Sequence, residues 1–251
     1  MTNGFGRRKS VANPEHLEIL KQGAEVWNEW RKNNPHVIPD LIGADLVRAF
    51  LRSANLIEAN LTDANLTNAN LVKAQLTNAD LTRTDLIFTD FTYANLVKAN
   101  LTQASIGGVN FIWATLKNAN FDGASLAGTV FVEVNLTEVR NLDKCSYGSP
   151  CSVDFRTLQK SGHLPIEFLR GVGFPESFID YLPSLLNEPF QYYTCFISYS
   201  RRDEEFVDRL YADLQNNGIR CWQDKKDMPW GGRMFDEIDR QIRFRGKVLL
   251  V

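Results

Sequence analysis

The chain has 251 residues, 44% of them hydrophobic and 23% charged, with a formal net charge of −2. That balance argues against a nucleic-acid binder resting on bulk positive charge. No apolar run is long enough to span a bilayer and no secretory leader pattern opens the chain, so a cytoplasmic protein without membrane association is expected, with room for two domains.

Residues 1–38 read as an N-terminal helical cap. Asn13 suits an N-cap, Pro14 the first helical position, and Glu15 the positive end of the helix dipole. Leu17, Leu20, Ala24, Trp27 and Trp30 fall on one stripe of a single helix, and Asn33, Asn34 and Pro35 stop it. An apolar stripe running straight into the next segment predicts a lid. Membrane attraction is weak because the polar face mixes Glu and Lys.

From Leu41 to Leu136 every fifth residue is Leu, Ile or Phe, twenty positions in one register. Two residues before nearly every one stands a small residue, usually Ala, and the residue between is usually Asn or Asp. On an α-helix, steps of five advance by about 500° and spiral round the cylinder. On a flat strand an odd step alternates faces. Burying all twenty requires a corner at each, hence a solenoid with sides one pentapeptide long. Phe91, Phe111 and Phe131 are spaced by twenty, as are Thr89, Val109 and Thr129, which replace Ala two places earlier. The exceptions therefore share columns if four sides close a coil, giving about five coils over 39–138.

Units such as Ala59-Asn60-Leu61-Thr62-Asp63 resemble the pentapeptide-repeat family. The resemblance implies a right-handed quadrilateral parallel β-helix with Leu, Phe and Ala inward. The two residues after each inward Leu or Phe then face out. One side carries Thr92, Tyr93, Ile112 and Trp113, with Ile87 and Phe88 on the next. Adjacent exposed aromatics mark contact surfaces. Tyr93, Ile112 and Trp113 are therefore candidate interaction residues, for self-association, for a partner, or for the chain's own later helices. Some members of the family imitate DNA with acidic faces. Here ten acidic against six basic side chains over residues 40–138 are too few for that, and no nucleic-acid partner is expected.

After Leu136 the register ends, and residues 139–190 read as a helical cap and linker with short helices broken by Gly162, Pro165, Gly171, Gly173, Pro175 and Pro183. Cys145, Cys151, Cys195 and Cys221 lack metal-ligand spacing. Cys145 and Cys151 are expected reduced, a disulfide being the alternative in an oxidising compartment.

Residues 191–251 change period. Tyr193 to Ser200 reads as a buried strand, Asp203 to Asn217 as a helix with Phe206, Val207, Leu210, Tyr211 and Leu214 on one face, and Ile219 to Gln223 as a strand. A charged, Pro- and Gly-containing loop follows, then a helix over Arg233 to Phe244 and a strand over Lys247 to Val251. Such alternation indicates a parallel α/β sheet.

Phe196-Ile197-Ser198-Tyr199-Ser200 with Asp203, then Gly218-Ile219-Arg220-Cys221-Trp222, then Asp227-Met228 and Gly231-Gly232, resemble the TIR domain family in that order. The resemblance implies the N-terminal half of a flavodoxin-like α/β domain. Many bacterial TIR domains cleave NAD+ between nicotinamide and ribose, so NAD+ is a possible substrate and no bound cofactor is expected. By family position Ser200, Arg201, Asp203, Trp222, Asp224, Asp227, Gly231 and Gly232 are the substrate-side candidates. Ser200 and Asp203 equally suit capping of the next helix. The family's catalytic Glu lies on the helix after the third strand, beyond Val251. This chain is accordingly expected to be a fragment, inactive on NAD+ as it stands, with an unpaired apolar edge along Lys247 to Val251. Glu204, Glu205 and Glu237 read as solvated helix residues. Expected partners are other TIR domains and further copies of the chain. The expected function is a signalling or defence protein whose solenoid assembles or senses and whose intact TIR effector cleaves NAD+. A non-enzymatic scaffold is the alternative.

Overall fold

The computed structural model describes residues 11–186, 195–198, 203–216, 221–223 and 248–250. The chain divides into two compact units, Met1–Leu182 and Pro183–Val251. Among the described residues no helix is long and apolar enough to cross a membrane.

The N-terminal segment forms two helices, α1 (Pro14–Lys21) and α2 (Ala24–Asn33), in place of the single one expected. Gly23 divides them at φ 110°, a conformation that Gly adopts without steric cost. Asn13 caps α1 as expected, its side-chain oxygen accepting from the N–H groups of Glu15 and His16. α2 covers the first coil. Trp27 is fully buried and donates its indole N–H to Asn55 O at 2.8 Å, and the Asn28 amide exchanges hydrogen bonds with the backbone of Ser53 and Asn55. Arg31, also buried, donates to the carbonyls of Val37 and Ile57.

All twenty pentad centres from Leu41 to Leu136 are at most 3% exposed. Parallel bridges join residues twenty apart, from Asp40 with Asn60 to Asn120 with Arg140, so four sides close one coil. Strands β1 (Ser105–Gly107) and β2 (Ser125–Ala127) keep the same offset, and β3 (Val130–Phe131) follows. Phe91, Phe111 and Phe131 stack with centroids 5.5 and 5.4 Å apart. Most sides end in a turn closed by an i to i+3 bond, as Ala44 N to Leu41 O at 3.0 Å. Every fifth residue from Gly43 to Glu133 stands there at φ 55° to 65°. A left-handed conformation costs about 1–2 kcal/mol for most residues. It persists because the same N–H bonds to the coil above, as Lys73 N to Thr92 O at 2.9 Å.

Asn and Asp recur before each centre because their oxygen accepts from the N–H two residues on, as Thr67 N to Asn65 Oδ1 at 3.0 Å. Thr replaces inward Ala at Thr84, Thr89 and Thr129 without an orphaned hydroxyl. Each donates to a carbonyl of the coil below, on Leu61, Leu66 and Ile106.

Winding continues past Leu136, where the fivefold reading ends. A 3-10 turn (Leu142–Lys144) leads into β4 (Ser146–Ser149) and β5 (Ser152–Val153), which pair in parallel with β2 and β3. The partners are now 21 and 22 residues apart, Ser125 with Ser146 and Val130 with Ser152, so stacking survives while the period does not. Helices α3 (Phe155–Ser161), α4 (Ile166–Gly171) and α5 (Glu176–Leu185) follow. Pro183 ends no helix: it sits in the last turn of α5, where the missing N–H removes one bond only.

α3 satisfies the open edge of the last coil with side chains. Asp154 Oδ1 accepts from Glu133 N at 3.1 Å, Thr157 Oγ1 from Val134 N at 3.1 Å, and Ser161 Oγ from Leu136 N at 2.9 Å. The Thr157 hydroxyl also donates to Phe131 O at 3.2 Å. Thr157→Val keeps the shape, orphans the Val134 N–H and leaves Phe131 O with only the longer bond from Asp154 N at 3.3 Å. It is expected to cost about 1–3 kcal/mol, read from the urea midpoint.

In the second unit β6 (Cys195–Ser198) lies between β7 (Cys221–Gln223) and β8 (Val248–Leu250), all parallel, with α6 (Glu204–Asn216) between β6 and β7 in sequence. Ile197 and Val207 are fully buried, with Tyr211 and Leu214 packed against them. Phe206, expected on that inner face, is 54% exposed. The helix expected over 233–244 lies outside the described residues.

Candidate functional site

The exposed large hydrophobic residues of the coil are Val47, Phe50, Phe88, Tyr93 and Trp113. All lie on two adjacent sides or the edge between them, because residues twenty apart share a column. Tyr93 and Trp113 occupy successive rungs of one column, with centroids 6.1 Å apart and planes within 6°. The rings face one another along the coil axis, so their edges look outward. Both sit at the left-handed turn position, φ 61° and 57°. Ile112 is half-buried beside Trp113. On the neighbouring side the Phe88 ring leans over Gly108, where a Cβ would meet it at 2.5 Å.

The chain's own α3 takes part of this face. Lys160 Nζ stands 4.7 Å from the Trp113 ring centroid and 2.5 Å from Glu133 Oε2. Arg156 pairs with the other Glu133 oxygen. Tyr93 and Trp113 nevertheless remain 52% and 44% exposed. Lys160, Arg156 and Glu133 had no signal in the sequence, since their meeting depends on how α3 docks. The hydrogen bond from Lys160, then that from Arg156, hold the Glu133 carboxyl below its ordinary pKa. Its ion pairs are therefore complete above the usual carboxylate range and are lost as pH falls through the lowered value. Trp113 fluorescence followed through an acid titration is expected to report that release, with Glu133→Gln removing the transition.

The cysteines in the first unit offer no nucleophile. Cys145 and Cys151 are both free thiols, and burial pushes the Cys145 thiol up to about 12. Burial also raises the Tyr147 hydroxyl, which donates to Leu142 O at 3.0 Å.

Of the expected substrate-side residues, Asp203 is half-buried immediately before α6, the place of a helix cap, and Trp222 lies in β7 in register with Phe196 of β6. Ser200, Arg201, Asp224, Asp227, Gly231 and Gly232 lie outside the described residues.

Two segments of the chain match known protein families. The family profile for pentapeptide repeats matches residues 40–71, 69–108 and 104–140, in eight copies, and that for the TIR domain matches 195–251. Among solved structures, the chain is similar to a pentapeptide repeat protein, Rfr23, from the cyanobacterium Cyanothece 51142. They share 36% identity over 41% of this chain and 61% of that one, with a TM-score of 0.30. A pentapeptide repeat protein of the Arabidopsis thaliana thylakoid lumen shares 31% identity over 43% of this chain and 72% of that one, with a TM-score of 0.33. HetL of Nostoc, a pentapeptide repeat protein involved in heterocyst differentiation regulation, shares 35% identity over 45% and 55%, with a TM-score of 0.24. The chain thus spans less than two thirds of Rfr23 and HetL. No curated protein matches it.

The fold and the repeat define a pentapeptide-repeat solenoid. The chain belongs to the pentapeptide repeat proteins and carries a TIR-domain match at residues 195–251. Domains of both kinds commonly mediate protein–protein contacts, which suits a scaffold with a signalling or defence role.

Proposed function

We propose that this protein is a signalling or defence scaffold whose solenoid docks other proteins, further copies of the chain included, through the side carrying Tyr93, Ile112 and Trp113. The observation that carries this reading is the exposed Tyr93–Trp113 stack on a wall with a fully packed interior. A rigid wall presents such anchors at low ordering cost, and aromatic side chains dominate contact energetics. The TIR segment adds contacts with other TIR domains, and an intact TIR module cleaves NAD+ in the cytoplasm.

Trp113→Asp is expected to lower the sedimenting mass while circular dichroism stays unchanged. Trp113→Gly, which suits φ 57°, removes the ring with less backbone strain and should dissociate the assembly equally. An unchanged sedimentation profile in both variants rejects the docking face. Nicotinamide release from NAD+ by a protein carrying the whole TIR module tests the enzymatic part. Its absence leaves the scaffold alone.

A further inference from the structure

The solenoid wall opens on one side between its fourth and fifth coils. Along the lower part of that side two bonds recur. The inward Leu donates to the residue nineteen ahead, as Leu76 N to Asn95 O at 2.7 Å and Leu96 N to Thr115 O at 2.8 Å. The residue before each centre donates 21 back, as Asn95 N to Ala74 O and Thr115 N to Ala94 O, both 2.9 Å. One level up, among the described residues, Leu116 N does not reach Asn135 O, Asn135 N does not reach Ala114 O, and no bridge joins Thr115 to Asn135. Asn118 N bonds instead to Glu138 O, one residue past the regular partner. The cause is α3, which draws Glu133, Val134 and Leu136 toward its own side chains. The left-handed series also stops at Glu133.

The gap is a groove of about 470 Å³, bordered by Trp113, Leu116, Lys117, Asn135, Glu138 and Lys160. We infer that it is a binding site for an extended, uncharged peptide segment of a partner protein. The groove offers two N–H donors, on Leu116 and Asn135, beside two carbonyl acceptors, on Ala114 and Asn135. In a regular coil a strand on each side would satisfy these groups. An anion would meet the carbonyls, and a cation would meet the N–H groups. An amide backbone complements both, as when a peptide adds to a sheet edge. The rim charges are already neutralised, Lys117 by Glu138 at 3.0 Å and Lys160 by Glu133 at 2.5 Å, so nothing draws an ionic ligand. The indole of Trp113 forms one wall for a side chain of the occupant. The volume lies within the range of about 300–1,000 Å³ that suits compact ligands.

Amide exchange on the full chain tests the opening first. The amides of Leu116 and Asn135 are expected to exchange at least about tenfold faster than those of Leu96 and Asn95. Equal protection overturns the inference. Uncharged, end-capped hexapeptides of alternating Val and Thr, with variants placing Ala, Leu or Phe at each site, are then added to about 1 mM. Binding members are expected to slow exchange at Leu116 and Asn135 and to change Trp113 fluorescence, and their backbone N-methylated analogues are expected to do neither. Asn135→Pro removes one of the free donors, together with the side-chain oxygen that accepts from Thr137 N, and is expected to weaken binding about tenfold. Should that variant misfold, the N-methylated peptides still decide. No protection by any member, or equal binding of the N-methylated forms, overturns the site. Protection that rises with protein concentration alone makes a second copy the occupant and overturns the partner-protein assignment. The result is separable from the docking face, because sedimentation reads that face and amide protection reads the groove.

Discussion

Phe111→Ala is expected to destabilise the protein by about 3–5 kcal/mol. Phe111 is fully buried between Phe91 below and Phe131 above, and also meets Phe121 edge-on at 6.2 Å. Removing the middle ring leaves a cavity that its neighbours fill poorly, since both are held by backbone bonds to their own coils. Phe111→Leu is expected to cost less, because Leu51 and Leu71 occupy lower rungs of the same column. Each coil of a solenoid rests on its neighbours, so the loss should spread to adjacent coils. Amide exchange is expected to rise from Phe91 to Phe131 and less near Leu46. A urea midpoint within experimental error of the parent's would reject the packed column.

Trp27→Ala is expected to be similarly damaging, about 3–5 kcal/mol, by a different route. Trp27 is fully buried, stacks on Trp30 at 5.0 Å, and supplies the indole donor that meets Asn55 O. Its loss strips the cover from the first coil and exposes unpaired strand-like edges, which invite aggregation. Trp27→Phe separates the two contributions. It keeps most of the buried area and leaves the Asn55 carbonyl unmet, at about 1–3 kcal/mol. If Trp27→Ala melts with the parent and stays monodisperse, α2 is no lid.

The shared column of Tyr93 and Trp113 is legible in the sequence, because it follows from the spacing of twenty. The division of the N-terminal helix at Gly23 is not, since helical spacing of the apolar residues runs unbroken across it. The winding from 139 to 153 carries no period of five, as each added residue lengthens a turn while keeping strands in contact. Lys160 and Glu133 lie 27 positions apart and carry no shared pattern, so only the docked α3 brings them together. Phe206 shares the apolar stripe of α6 and is still exposed, because an amphipathic stripe is broader than the strip its neighbours cover.

Local periodicity alone determined the interior of this protein. A hydrophobic residue at every fifth place has one way to be buried throughout, and that solution sets the corner, the left-handed turn residue and the twenty-residue pairing together. The ends and the opening belong to the tertiary structure. They arise where α2 and α3 compete with the next coil for the same backbone donors and acceptors. That competition depends on side chains meeting across 21 to 28 residues, a distance at which no repeat constrains them.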